Sequence, residues 1–488
     1  MRQAGVLCVA FFLLMTAVNA GSGTVERRGN VADTFVVVYN SYKYWGVLNG
    51  RESELITVDS RLDIVAYTGD RFYCFNLYRK SAGKRVLILE NFIAYDSCTY
   101  TLLWKHHQIN FAGKRREDLS CQYDISRLHH QYSLGAEALR WDSAGFRMSL
   151  NSVIASYNKI AVSQAAVLER FRKQIGGELL FFLKHQVQQM LLLQKEKYFH
   201  SMLQPHSLVR SVFSSEVAVQ KCRADIYKLF QEEMNAVVCK QWERDSDGYG
   251  AQTAYWHAQV EVTYSLKRNL FAYIRQQAAG SCRDKVFVLF FKSNYYRDND
   301  VDAKATEALL LMQDRYAKTE LEQMQHVLAV GAAAFPFHLN NNSNVLVHMK
   351  DFAGKVVLMD FWYTGCASCA QLYHDVLNPV EELLREDENV VFLSVCTDND
   401  NMLWLKSVAD GIYTHEQSNV YNLYTGGQGE EHALIKAYNI TGYPTLLLFD
   451  VSGNLAVKYQ RVLKNKDGLL QSIHAMKTGE HISCSPVN

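Results

Sequence analysis

Residues 355–362 read Lys-Val-Val-Leu-Met-Asp-Phe-Trp, and no stretch of this chain constrains its fold more. The run is too uniformly apolar for a half-exposed strand and suits one buried on both faces. It ends in the turn Tyr363-Thr364-Gly365 and leads into Cys366-Ala367-Ser368-Cys369, after which Leu372, Val376, Leu377, Val380, Leu383 and Leu384 fall at helical spacing. This order places Cys366 at a helix N-terminus, where unpaired backbone N–H groups and the helix dipole stabilise a thiolate. A thiolate is the attacking species in disulfide exchange. Cys366 is therefore the candidate nucleophile, and Cys369, one turn later on the same side, the candidate resolving thiol.

Two other uses of the pair fit less well. A zinc site needs a second Cys-x-x-Cys or a His pair at suitable spacing, and Cys396 stands alone. A permanent structural disulfide across so small a loop gains little by restricting the unfolded chain. Downstream, residues 390–397 read as a second buried strand and 401–408 as a helix. A helix over 431–438, a hairpin of strands 446–450 and 457–462 about Gly453, and a helix over 467–476 complete the order βαβαββα, the two successive helices 401–408 and 431–438 counted as one.

The remainder of the 488 residues implies further domains. Residues 21–124 are β-rich, with strand-like runs at 34–39, 71–78, 84–93 and 100–104, and the pattern extends to Gln122. Residues 125–330 have helical periodicity, clearest at Leu179, Leu183, Val187, Met190 and Gln194. The histidines of this region show no metal-ligand spacing, and charges interrupt every apolar stretch, so no membrane span is expected in the mature chain. A break at 331–334 opens the last domain, 331–488. With 51 basic and 50 acidic residues, no basic field points to nucleic acid.

Residues 1–20 have the anatomy of an export signal: Arg2, an apolar run over 6–18, and Ala20 at the cleavage position. The apolar run is short against the ~20 residues that span a bilayer. A soluble periplasmic protein cleaved near Ala20 is expected. Export makes structural disulfides possible, but the eight mature cysteines outside the pair allow up to 105 pairings; Cys222 with Cys239 is only a guess.

Residues 335–478 resemble a thioredoxin-fold domain of the TlpA/ResA-like thiol-disulfide oxidoreductase family. Three matches carry the resemblance: the Asp360-Phe361-Trp362 strand six residues ahead of the first cysteine, the Cys-x-x-Cys helix start, and Tyr438-Asn439-Ile440-Thr441-Gly442-Tyr443-Pro444-Thr445 before a closing hairpin. Residues 408–431 also fit the insertion this family carries. Over these residues the resemblance implies an α/β thioredoxin-like fold; with the patterns upstream, the chain reads as a multidomain protein in which that C-terminal fold is preceded by a β-rich N-terminal region and a helical middle region. It implies an enzyme that reduces protein or small-molecule disulfides with electrons from a membrane donor, using no metal, nucleotide or flavin. It further implies a cis Pro444 facing the disulfide, with Tyr443 and Gly365 beside the substrate.

Asp360 matches the buried acid that shuttles a proton for the second cysteine, a role that burial would serve by raising its pKa. A hydrogen-bonded structural carboxylate is the other reading of this residue. The usual Trp-Cys-Gly-Pro-Cys is here Gly365-Cys366-Ala367-Ser368-Cys369, and since the inner dipeptide tunes the potential, the direction of exchange stays open. Pro379 comes ten residues after Cys369. Cys396 is either a third redox thiol or a structural one, and His374 reads as an exposed helix residue. A peroxiredoxin-like peroxidase shares the fold, but Thr364 lacks the proline and spacing that activity needs. A binding protein whose thioredoxin-like domain serves docking is the non-enzymatic alternative.

Overall fold

The computed structural model describes residues 34–478, apart from 48–49, 57–60, 67, 82–83, 106–107, 132–145, 205–208, 210–214, 243–246, 266–268 and 299. The export signal expected at 1–20 and Cys484 lie outside the described residues, as does the side chain of Cys239.

Seven strands open the described chain: β1 (Thr34–Ser41), β2 (Arg51–Ile56), β3 (Arg61–Ile64), β4 (Phe72–Ser81), β5 (Lys84–Tyr95), β6 (Tyr100–Lys105) and β7 (Gln108–Ala112). They form two antiparallel sheets, ordered β2-β1-β4-β5 and β3-β6-β7. Alternate residues of β4 serve two cores. Tyr73, Phe75 and Leu77 face Leu62, Tyr100 and Leu102 of the other sheet, while Phe72 and Cys74 face the helices that follow. Because β4 is covered on both sides, its sequence shows no polar alternation.

Nine helices follow among the described residues: α1 (Arg116–Gln131), α2 (Phe146–Phe171), α3 (Gly177–Leu203), α4 (Glu216–Trp242), α5 (Gly248–Ser265), α6 (Leu270–Arg275), α7 (Ser281–Asn294), α8 (Val301–Leu311) and α9 (Arg315–Leu328). The β-like pattern expected to reach Gln122 stops earlier, because α1 begins at Arg116. Glu117 and Asp118 in its first turn suit the positive end of the helix dipole. Gln122 stays near the sheet through its side chain, which accepts from Ile93 N at 2.6 Å and donates to Ile93 O at 2.8 Å.

The C-terminal sheet has seven strands in the order β14-β13-β10-β11-β12-β8-β9. Its centre is β10 (Val356–Trp362), parallel to β11 (Val390–Cys396) and antiparallel to β13 (Thr445–Phe449). Every residue of these three strands is buried. Three features differ from expectation. Strand β12 (Val420–Tyr424) continues the parallel order inside the segment read as an insertion, and β8 (His338–Asn341) with β9 (Leu346–His348) extends that edge. The strand expected at 457–462 is instead β14 (Leu455–Val457) followed by a helical turn (Gln460–Leu463). There the Gln460 side chain bonds Leu446 N at 2.9 Å and Leu446 O at 2.7 Å, taking the place of a further ladder residue.

The sheet is joined to the upstream helices by one core. Val357, Met359 and Phe361 belong to the same apolar cluster as Phe287, Phe291, Tyr295 and Leu321. Polar contacts fix the register: Asn439 Nδ2 donates to Lys292 O at 2.7 Å, and Lys458 Nζ donates to Asp302 Oδ1 at 2.7 Å. Closeness elsewhere depends on Gly248, where a Cβ would lie 2.1 Å from the Trp45 carbonyl oxygen. Large-to-small changes in such cores cost about 3–5 kcal/mol for phenylalanine. Phe291→Ala is expected to lower stability by that order, and hydrogen exchange should show β10 losing protection together with α7. Loss confined to α7 would mean that the two regions do not share a core.

Candidate active site

Cys366 is the N-cap of helix α10 (Ala367–Leu372), and its Sγ accepts from Cys369 N at 3.1 Å. Sulfur thus occupies the position that a Ser or Asp oxygen usually fills at a helix start. It is bonded to Cys369 in a disulfide with the Cα atoms 5.2 Å apart, and both residues are only 3 % exposed. The turn before them is held from two sides. Gly365 has φ +97°, a conformation that side chains disfavour, and its N–H donates to Tyr413 Oη at 2.8 Å. Thr364 N donates to Asp398 Oδ1 at 2.9 Å.

Beyond α10 the helix passes through a π turn (Tyr373–Leu377) into α11 (Asn378–Leu383). Pro379, which has no N–H to give an i→i−4 bond, sits at that junction. Facing α10, the Tyr443–Pro444 bond is cis. Ser368 Oγ donates to Tyr443 O at 3.4 Å, and Lys464 Nζ donates to Pro444 O at 2.6 Å. The Tyr443 ring meets that of Tyr363 edge to face at 5.3 Å.

Asp360 lies on β10 in phase with Leu358 and Trp362, on the face covered by the cysteine helix. It is buried, and its Oδ1 has no hydrogen-bond partner among the described residues. Burial pushes its carboxyl up to about 7, against the opposing pull of the Lys464 ammonium. Trp362 is fully buried, stacks on Tyr413 at 4.8 Å and donates to Ser394 Oγ at 2.7 Å.

A second buried acid went unnoticed in the sequence. Glu381 of α11 is 4 % exposed, and burial, with added repulsion from Asp360 and Glu382, pushes its carboxyl up to about 8. His415 Nδ1 lies 3.4 Å from its Oε2. The signal was available: Glu381 falls four residues after Leu377 and eight after Tyr373, in phase with the apolar stripe. Lys464 carried no such signal, since only the fold brings it to Pro444.

The remaining candidates separate clearly. Cys396 ends β11, is fully buried in one cluster with Cys366 and Cys369, and burial drives its thiol far above the usual range. His374 is exposed and paired with Asp375 at 2.7 Å. The Thr364 hydroxyl is taken up by Asp398 and by Ser407 at 2.7 Å. Cys222 carries a free thiol, as do Cys74, Cys98 and Cys121. Among the described residues no group of three or more His, Cys, Asp or Glu side chains is placed to hold a metal ion. No described helix is long and apolar enough to cross a membrane.

Residues 354–455 match a family model described as thioredoxin-like. Similar solved structures include the thioredoxin domain of a thiol-disulfide oxidoreductase from Bacteroides vulgatus, at 22 % identity over 30 % of this chain and 98 % of that one, with a TM-score of 0.25. A thiol:disulfide interchange protein from Bacteroides sp. aligns at 24 % identity over 32 % and 95 %, TM-score 0.26. A thiol-disulfide oxidoreductase from Bacteroides fragilis aligns at 17 % over 28 % and 98 %, TM-score 0.24. No curated protein matches the chain. The C-terminal region is thus thioredoxin-like, behind a β-rich N-terminal region and a helical middle region.

Burial of Asp360 has a measurable sign. A carboxyl raised from 3.8 to about 7 keeps its proton in the folded chain while the unfolded chain has lost it, so stability falls as pH rises across that interval. At 1.36 kcal/mol per pH unit the penalty above pH 7 is about 4 kcal/mol at most. Asp360→Asn is therefore expected to stabilise the protein at pH 8 and to change it little near pH 4. Denaturation midpoints that move equally at both pH values would contradict the buried, proton-holding carboxyl.

Proposed function

We propose that this chain is an exported thiol-disulfide oxidoreductase that reduces disulfides through Cys366 and Cys369. The observation that carries the proposal is the sulfur cap: Cys366 begins the helix, accepts the Cys369 N–H at 3.1 Å, and is joined to Cys369 opposite a cis-proline loop. Export rests on the character of residues 1–20, with the periplasm as destination.

In the reduced protein the Cys366 thiolate attacks one sulfur of a substrate disulfide. A Cys366–substrate disulfide forms, and the other substrate sulfur leaves as a thiolate and takes a proton from solvent. The Cys369 thiol passes its proton to Asp360, which near neutral pH is partly carboxylate, and then attacks Cys366 Sγ. The enzyme disulfide closes and the second substrate thiolate departs, so two electrons have moved from the enzyme dithiol to the substrate. A dithiol donor at the membrane reverses the same steps to restore the reduced pair. The proton step is the one that burial of Asp360 serves, because a base with a pKa near the working pH is the most effective.

Cys369→Ser is expected to accumulate a covalent substrate adduct on Cys366, visible on non-reducing gels and released by dithiothreitol. Cys366→Ser should form none and should reduce a model disulfide no faster than the uncatalysed exchange. Equal adduct formation by both variants would refute the assignment.

A further inference from the structure

Beside the cysteines, the thioredoxin-like region does not stand alone. The N-terminal sheet reaches it through four charges: Arg85 of β5 donates to Glu52 Oε2 of β2 at 3.1 Å and to Glu431 Oε2 at 2.9 Å. Lys436 pairs with the same Glu431 at 2.8 Å and with Glu52. Two cations and two anions close the network without net charge. Along it opens a cleft of about 620 Å³, with Tyr78 and Arg85 on one wall and Tyr363, Asp398, Glu430 and Tyr443 on the other. That volume lies within the range of ordinary ligand sites.

Tyr443 joins this cleft to the chemistry. It precedes the cis proline, its carbonyl receives Ser368, and its ring packs against the cluster that contains both cysteines. Its Oη is buried. The charges of the cleft are unequal. Arg85 is consumed by Glu52 and Glu431, and Asp398 is buried with both carboxylate oxygens taken by the Thr364 amide and hydroxyl. Glu430 is the exposed acid of the cleft, and no cation among the described residues pairs with it.

We propose that β4 and β5 of the N-terminal sheet form the second wall of the substrate cleft, which receives an extended polypeptide bearing a cationic side chain beside its reacting cysteine. The aromatic rings of Tyr78, Tyr363 and Tyr443 cover the peptide, and Glu430 supplies the anionic end. The proposal rests on the oxidoreductase reading and assigns its substrate class. It also gives the upstream region a part in recognition: without β4 and β5 the cleft has one wall.

The test uses the full chain, reduced, and two disulfide-linked peptides that differ only in Lys or Glu next to the cysteine. A small neutral probe, 2-hydroxyethyl disulfide, reports on the chemistry alone. The wild type should favour the Lys peptide in kcat/KM by roughly five-fold, the size of a half-exposed ion pair. Glu430→Lys should abolish or reverse that preference, and Tyr78→Ala should raise KM for both peptides. Neither variant should alter the rate with the small probe. Equal wild-type rates for the two peptides, or a preference unmoved by Glu430→Lys, would overturn the charge assignment. Peptide KM values unchanged in Tyr78→Ala would overturn the two-walled cleft. A wild type inert toward 2-hydroxyethyl disulfide would instead defeat the oxidoreductase reading, and this proposal with it.

Discussion

Strand β10 has no solvent face, and the site depends on that. Val356 and Leu358 pack beneath the cysteine helix while Val357, Met359 and Phe361 meet the upstream helices. Burying each such side chain contributes about 1.5–3 kcal/mol, so the strand is firmly placed. Asp360 has no choice of environment: the alternation that buries Leu358 and Trp362 buries it too. The same strand ends where the chain must turn, at Gly365, and delivers Cys366 to the start of α10. A raised carboxyl and a helix-capping sulfur are thus two consequences of one packing arrangement.

The second buried acid extends this picture. Glu381 sits on the continuation of the cysteine helix, feels Asp360 and reaches His415 near the surface. Asp360 and Glu381 are thus two protonatable carboxyls that act on one another on one side of the sheet. Lys464 works in the other sense, drawing Asp360 toward its charged form while it holds the carbonyl of Pro444. The proton chemistry and the cis-proline loop therefore share a residue.

Much of this was legible in the sequence because it follows short-range rules. The uniform run at 355–362, the glycine turn and the spacing of the cysteines marked β10 and α10, and the apolar runs marked β1, β4, β5 and β6. Strand β12 was missed because Val420–Tyr424 is short and mixes Tyr and Asn with apolar residues; its place is set by pairing with β11 rather than by its own pattern. The stretch at 457–462 misled in the opposite way, since a side chain, Gln460, takes over the hydrogen bonds that a strand would make. The wall formed by Tyr78 and Arg85 lies some 350 residues from the loop it meets, and no local periodicity records a contact of that kind.

The proposed chemistry requires Cys366, at the start of α10, to be the reactive thiolate of the pair. It is tested most directly by the pH dependence of iodoacetamide labelling in the reduced chain, with each cysteine followed by mass spectrometry. Cys366 is expected to be labelled first, with a midpoint below the free-thiol value of about 8.5, while Cys369 and Cys396 stay unlabelled over the same range. A Cys366 midpoint at or above 8.5, or labelling no faster than that of Cys369, would contradict it.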